Sequence, residues 1–438
     1  MNDFLETDVI VVGAGPSGVP AAVAAARQGA KVVLLEEDQT PGGGPVDMYV
    51  TNACGSPRTG IYAEMLDYLN LYHTLDQRPI LPFNAGEDGV NHWWMPYAYL
   101  DAVMVLLRGE PNITLLTGAT VQELICQQED GVRRVLGVRA QRGYGQPALT
   151  VRAPITIDAT GTGLLGELAG CDVRFGSDTK ADFDEPYAPE TYTGKIMPCT
   201  LMYLTQRLHG TSIPPLEELD FQNGRYSFMQ DKQNHRASTL YEDTLEKNVG
   251  IYLHWGPTVQ CTDTRDPMLL GTAYLEALDI LRVNERVWQR HGYTLSVPPR
   301  LGVRECRRVM GEKVLTLHDM MAGTFPQDTV AISRYGVDLW EATPIDEQGG
   351  SRITKPYGIP YGALLPKGTD GLLMAGKSIS GSRFACSSYR VQPIVAAIGE
   401  AAGTAAGLCT RRRQTVRGLS VTDLQAKLTQ AGSLRMSD

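Results

Sequence analysis

No Cys-x-x-Cys pair occurs in this chain; its eight cysteines, at 54, 126, 171, 199, 261, 306, 386 and 409, are scattered singly. That scatter excludes a zinc ribbon and a dense disulfide framework and reads as reduced thiols. No metal site is expected. No run of 18 apolar residues occurs either, so no membrane-spanning helix is expected. The N-terminal stretch VIVVGAG is short, follows acidic residues and lacks the basic start of a signal peptide, which makes a cytoplasmic location the expectation. Positive charge is scarce: 40 Lys and Arg against 49 Asp and Glu give a net charge of −9. Such a balance argues against a nucleic-acid surface. The basic run Arg411, Arg412, Arg413 reads as a solvated surface. The expected partner is a small-molecule substrate, with no nucleic acid and no membrane, and homo-oligomerisation is left open.

What is present begins near the start. A chain of 438 residues can bury a large core in two or three domains. DVIVVGAGPSGVPAAVAAARQGAKVVLLEE reads as strand, turn, helix and strand. Val9 to Val12 is a continuous apolar run, as in a strand buried on both faces of a parallel sheet. Gly13 permits the tight turn, Gly15 lets backbone approach a pyrophosphate, and Gly18 allows close helix–strand contact. Pro16 and Pro20 fall where a missing N–H costs little. Alanines 21, 22 and 24 to 26 give a slim helix whose N-terminus offers free N–H groups to phosphates. Glu36 closes the second strand 21 positions after Gly15, where an acid accepts hydrogen bonds from ribose hydroxyls.

A second copy of the glycine spacing, in DATGTGLLGELAG (158–170), fails the same test. Only ELAG separates Gly166 from the strand-like CDVRF, too short for a parallel crossover of roughly a dozen residues. The stretch therefore reads as a strand end followed by a short helical turn, and no second dinucleotide unit is expected.

Ala159, Thr160 and Gly161 in that stretch resemble the Ala-Thr-Gly motif of FAD-dependent oxidoreductases with the glutathione-reductase-like two-domain fold. RLGVRECRRVMGEKVLTLHDM and GIPYGALLPKGTDGLLMAGKSISGSRFACSSYRVQPIVAAIGEAAGTAAGL are similar to further signatures of that broad family. The resemblance implies an α/β fold: a Rossmann-like FAD-binding domain with an inserted β-meander, interleaved with an α+β substrate (cap) domain. The FAD domain is expected over 1–55, 96–176 and 355–438, and the cap over 56–95 and 177–354. GIYAEMLDYLNLYHTL (60–75) is expected to add a helix to the cap, and 269–291 a helix burying Leu275, Leu278, Leu281 and Val287.

The same resemblance implies FAD as cofactor and assigns contacts to the first turn (Gly13, Gly15, Pro16, Ser17, Gly18), to Glu36 and Glu37, and to Gly43 and Gly44. It adds Val121 in the meander, the Ala159–Gly161 motif, Gly376 at the end of a buried strand, and Val391 and Gln392 at the start of the last alanine-rich helix. Pro393 suits that helix start, whose positive end would stabilise charge on reduced flavin.

Four residues are candidates for catalysis. Arg390 stands at that helix start, ready to bind a substrate carboxylate or to form a plain ion pair. Tyr389 beside it is a candidate proton donor. Arg304 belongs to the charged run Arg304, Glu305, Arg307, Arg308, which also reads as a salt-bridged domain junction. His318 is a candidate proton carrier. Where the family tends to carry a histidine, this chain reads VDLW, with Trp340. The aromatic NHWWMPY (91–97) reads either as a substrate entrance or as packing under the cap. The expected activity is hydride transfer between a small organic substrate and FAD, as dehydrogenase, oxidase or C=C reductase. An FAD-dependent monooxygenase, an RNA-modifying flavoprotein and a protein holding structural FAD remain the alternatives. The residues mark neither an obligatory nicotinamide nor a covalent flavin attachment.

Overall fold

Five short apolar segments pair side by side in the computed structural model, which describes residues 3–51, 53–72, 94–129, 131–209, 218, 238–239, 251–340 and 353–435. They are β1 (Val9–Val12), β2 (Val32–Leu35), β3 (Ile113–Leu116), β4 (Ile155–Asp158) and β5 (Leu372–Met374), all parallel, in the order β5-β4-β1-β2-β3. β1 and β2 are buried throughout, which is why neither shows polar alternation. Because β1 lies between β2 and β4, the turn after β1 opens at the carboxyl edge beside the end of β4. Ligands gather at this edge of open α/β sheets.

Two helices lie together against this sheet. α1 (Gly18–Arg27) follows the first glycine turn, and α2 (Gln392–Arg412) is the alanine- and glycine-rich C-terminal helix. Glycines at 399, 403 and 407 line α2 at four-residue spacing and face Ser17, Ala21 and Ala25 of the α1 region. By length and composition α2 is apolar enough to cross a membrane, yet nearly all of it is buried inside the protein.

The expected meander is present as three antiparallel strands, Thr120–Glu129, Val132–Gln141 and Leu149–Arg152. DATGTGLLGELAG contains a five-residue helix, Leu164–Leu168. The short strand after it, Val173–Arg174, pairs antiparallel with Arg308–Val309 and not with the parallel sheet. The second glycine spacing therefore opens no crossover.

A second core lies beside an antiparallel sheet of Tyr203–Arg207, Ser238–Thr239, Ile251–His254 and Tyr293–Ser296. It gathers Cys199, Leu201, Tyr203, Trp288 and Tyr293 with one face of the helix Pro267–Arg290. That helix buries Ala273, Ala277, Leu281, Val287 and Trp288. Leu275, expected inside, is 63% exposed: it stands two residues from Ala273, on the opposite side of the helix. Leu278 is only partly buried.

The helix expected from 60–75 runs Gly60–Tyr72, with 73–75 outside the described residues. The sequence assigns it to the cap, but Ile61, Met65, Leu66 and Leu69 join the main core. The buried Glu400 of α2 accepts the Ile61 N–H at 3.0 Å and ties the two helices together. Burial pushes the Glu400 carboxyl up to about 7. All eight cysteines are free thiols.

Candidate active site

The turn after β1 forms one wall of a cavity of about 490 Å³. Gly13 takes φ +95°, and a Cβ there would stand 2.6 Å from the Ala159 carbonyl oxygen, so the turn is held against the end of β4. Gly15 differs: an added Cβ would meet nothing nearer than Gly43 Cα at 3.9 Å. Its bare backbone faces open space. Pro16, Ser17, Gly43 and Gly44 complete this wall. Gly18 does not line the cavity; a Cβ there would lie 1.7 Å from the Gly13 carbonyl oxygen, so Gly18 closes the turn from behind.

Helix α1 starts at this wall without a side-chain cap and without an acid in its first turn. Helix α2 does the same, from Val391 and Gln392, with proline in its first turn. Two uncapped helix starts leave orphan N–H groups and positive dipole ends at one cavity, an arrangement suited to negative charge.

The strand-end acid is buried. Glu36 accepts the Ala14 N–H on Oε2 at 2.6 Å and the Asp38 N–H on Oε1 at 3.0 Å. A carboxylate has about four acceptor positions, so two remain for hydroxyls of a ligand. Burial raises its pKa despite these bonds. Glu37, Asp38 and Asp47 stand near it in the lining, with Arg300 across them at 2.7 Å from Glu37 and 2.8 Å from Asp38. Burial, reinforced by Asp38, pushes Asp47 up to about 7. Sequence reasoning missed Asp38, Asp47 and Arg300, which carry no local motif.

Ala159, Thr160 and Gly161 line the cavity, as do Val121 and Gly376. The fully buried Asp158 behind them holds the loop: Oδ1 accepts the Thr160 hydroxyl at 2.6 Å, and Oδ2 accepts the Leu165 N–H at 2.8 Å. It thereby caps the five-residue helix and fixes the Ala-Thr-Gly turn, a role the sequence did not disclose.

Elsewhere the lining is basic and aromatic. Arg304, Lys377 and Arg390 meet Asp338, Tyr335, Trp340 and Cys54, with Thr200, Met202 and Trp255 from the region of the antiparallel sheet. Asp338 collects three donors: the Tyr335 hydroxyl at 3.1 Å, the Trp340 indole N–H at 3.1 Å and Arg390 Nη2 at 3.3 Å. Lys377 donates to the Val303 carbonyl at 2.6 Å, and burial lowers its pKa. The guanidinium of Arg304 lies 3.5 Å from the centroid of the Trp340 ring. Burial and the nearby Arg390 lower its pKa to about 9.

Of the four catalytic candidates, Arg304 and Arg390 reach the cavity, and Tyr389 and His318 do not. Tyr389 is fully buried and donates to the Ile379 carbonyl at 3.0 Å, because its helix turns it away from the side that Arg390 faces. His318 is exposed, with Nε2 2.9 Å from the Asp184 carbonyl oxygen. The rest of the charged run is structural. Glu305 receives Arg383 at 3.1 Å, Arg307 pairs with Glu167 at 2.5 Å, and the fully buried Arg308 pairs with Asp178 at 2.6 Å. In NHWWMPY, residues 91–93 lie outside the described residues, and Trp94 is buried against Tyr99. Among the described residues no group of three or more His, Cys, Asp or Glu could hold a metal ion.

The residues present fit FAD: open backbone at Gly15, two uncapped helix starts for its phosphates and flavin, and spare carboxylate positions for its ribose. Comparison with known proteins bears on the same point. The tRNA uridine 5-carboxymethylaminomethyl modification enzyme MnmG of Bacillus licheniformis is 33% identical over 182 residues, covering 39% of this chain and 26% of that protein. The Lactococcus lactis enzyme of the same name is 28% identical over 193 residues, covering 40% and 28%. This chain thus matches only about a quarter of the length of these curated relatives. Among solved structures, a geranylgeranyl bacteriochlorophyll reductase-like protein of Thermoplasma acidophilum is 14% identical, covering 98% of this chain and 85% of that one, with a TM-score of 0.42. The anhydrotetracycline hydroxylase OxyS of Streptomyces rimosus is 13% identical, covering 97% and 65%, also at 0.42. The sequence model of one family, FAD dependent oxidoreductase, matches residues 8–428, nearly the whole chain. The chain belongs to the FAD dependent oxidoreductases, enzymes whose cofactor is FAD.

Proposed function

We propose that this enzyme moves a hydride between a small organic substrate and FAD, as a dehydrogenase or oxidase or, in the opposite direction, as a C=C reductase. One observation carries the reading: a single cavity is lined by the glycine turn, by the start of α2 and by side chains from the antiparallel-sheet region. FAD, when bound, supplies the two-electron chemistry. The first turn and Gly376 would hold its phosphates, Glu36 its ribose, and Val391 and Gln392 would set a positive helix end against its flavin. Thr200, Met202 and Trp255, which also line the cavity, would help shield the flavin from water. Burial raises the pKa of both Tyr335 and Cys54.

The curated relatives carry tRNA in their names, but a net charge of −9 favours a small substrate here. Purified protein should be yellow and should release free FAD on acid denaturation. An anaerobic panel of alcohols, amines, hydroxy acids and glycosides should contain a class that bleaches the flavin. A colourless protein without flavin affinity sinks the reading, and bleaching that requires tRNA replaces the small substrate with RNA.

A further inference from the structure

Arg304 has a partner for only part of its charge. Its Nη1 donates to the Pro198 carbonyl at 2.8 Å, and Trp340 covers one face of the guanidinium. Among the described residues no carboxylate pairs with it. The nearby acid is committed elsewhere, since Asp338 takes Tyr335, Trp340 and Arg390. A guanidinium has five N–H donors in a planar fork, so among the described residues most of the Arg304 fork is unspent on the wall of the cavity it lines.

Holding this cation so is costly in two respects. Arg304 sits near a second guanidinium, Arg390, whose like charge opposes its own. Trp340 adopts φ +58°, a left-handed conformation that a bulky residue rarely takes and that costs on the order of 1–3 kcal/mol. The Trp340 indole N–H donates to Asp338 at 3.1 Å while its ring lies against Arg304. Such strain at a site reads as positioning.

We propose that Arg304, stacked on Trp340, is the anchor for a carboxylate group of the substrate, so that the organic substrate is an anion. A planar fork matches a carboxylate in two parallel hydrogen bonds. The sequence offered Arg390 for this role; its bond to Asp338 leaves Arg304 as the better-placed residue. Trp340, in the position where the family tends to carry a histidine, is then a positioning residue.

The inference rests on the oxidoreductase reading, and one preparation tests the two separately. FAD released by acid reports the cofactor alone. The same yellow holoprotein is titrated with acetate and succinate, and with acetamide as the neutral counterpart, following the flavin difference spectrum and the melting temperature. Wild type should show saturable changes with the carboxylates and none with acetamide. Arg304→Gln should bind them at least tenfold more weakly at unchanged flavin content. Arg304→Lys, which keeps the charge but not the fork, should recover only part of the affinity, and Trp340→Leu should weaken binding severalfold. If Arg304→Gln does not fold, the Lys and Leu variants carry the test. Equal carboxylate binding in the variants overturns the proposal, as does a wild type indifferent to carboxylates. Loss of flavin from Arg304→Gln would assign the residue to the cofactor and overturn it too.

Discussion

Gly403 of α2 lies directly against the backbone of Ala21 on α1: a Cβ at position 403 would stand 2.0 Å from the Ala21 carbonyl oxygen. Gly399 meets the Ser17 carbonyl oxygen at the same 2.0 Å. The two helices therefore pack at backbone distance, and neither can move apart without disturbing the wall at Ser17.

Gly403→Ala should therefore destabilise the protein by about 1–3 kcal/mol through overpacking, although alanine is the better helix former. Gly271 provides the matched contrast, since nothing lies within 4 Å of an added Cβ there. Gly271→Ala, within the helix Pro267–Arg290, should stabilise by about 1 kcal/mol. Opposite shifts in the urea midpoint of the two variants are the expected result; shifts of the same sign would show that helix propensity alone decides.

Gly15→Val should separate folding from cofactor binding. Space exists for the added carbons, but it is the space of the cavity. Circular dichroism of the flavin-free protein should be unchanged, while FAD affinity falls by about a hundredfold or more, roughly 2.7 kcal/mol. Full flavin content in the purified variant would refute the placement of the pyrophosphate at this turn.

Glu400 makes stability depend on pH. Its folded pKa of about 7 lies above the ordinary 4.5 because burial disfavours the charged form. The protonated folded state is thus favoured: the associated stability is complete below about pH 4.5 and is lost as pH rises through 7. The loss is on the order of 3 kcal/mol for such a shift. Glu400→Gln keeps an acceptor for the Ile61 N–H and should flatten this fall, melting higher than wild type at pH 8 and nearly equal to it at pH 4.5. A parallel pH profile in the variant would assign the loss to other groups.

The β1–α1–β2 unit was legible in the sequence because each of its parts is local: a four-residue apolar strand, a glycine turn, an alanine helix and a strand-end acid. The failure of the second glycine spacing was legible for the same reason, since the length after Gly166 rules out a crossover. What was hidden depends on long-range neighbours. Asp47 and Arg300 meet from 253 positions apart, and Asp338 becomes a hub only when Tyr335, Trp340 and Arg390 converge on it. Tyr389 was drawn in by adjacency to Arg390, but adjacent helical residues point about 100° apart. His318 was chosen for its residue type, with no second residue to place it. The glycines at 399, 403 and 407 went unread within the alanine-rich helix, because the α1 backbone they meet is distant in the chain.

The cavity draws one wall from the main core and another from the region of the antiparallel sheet. A ligand filling it touches both at once and binds fully only while the two are docked. Loading is then linked to docking, so occupancy at a hundredfold excess over Kd adds about 2.7 kcal/mol against any motion that parts the walls. FAD bound across this cavity would therefore act as a structural rivet as well as a reagent, and the holoprotein should unfold as a more cooperative unit than the polypeptide alone.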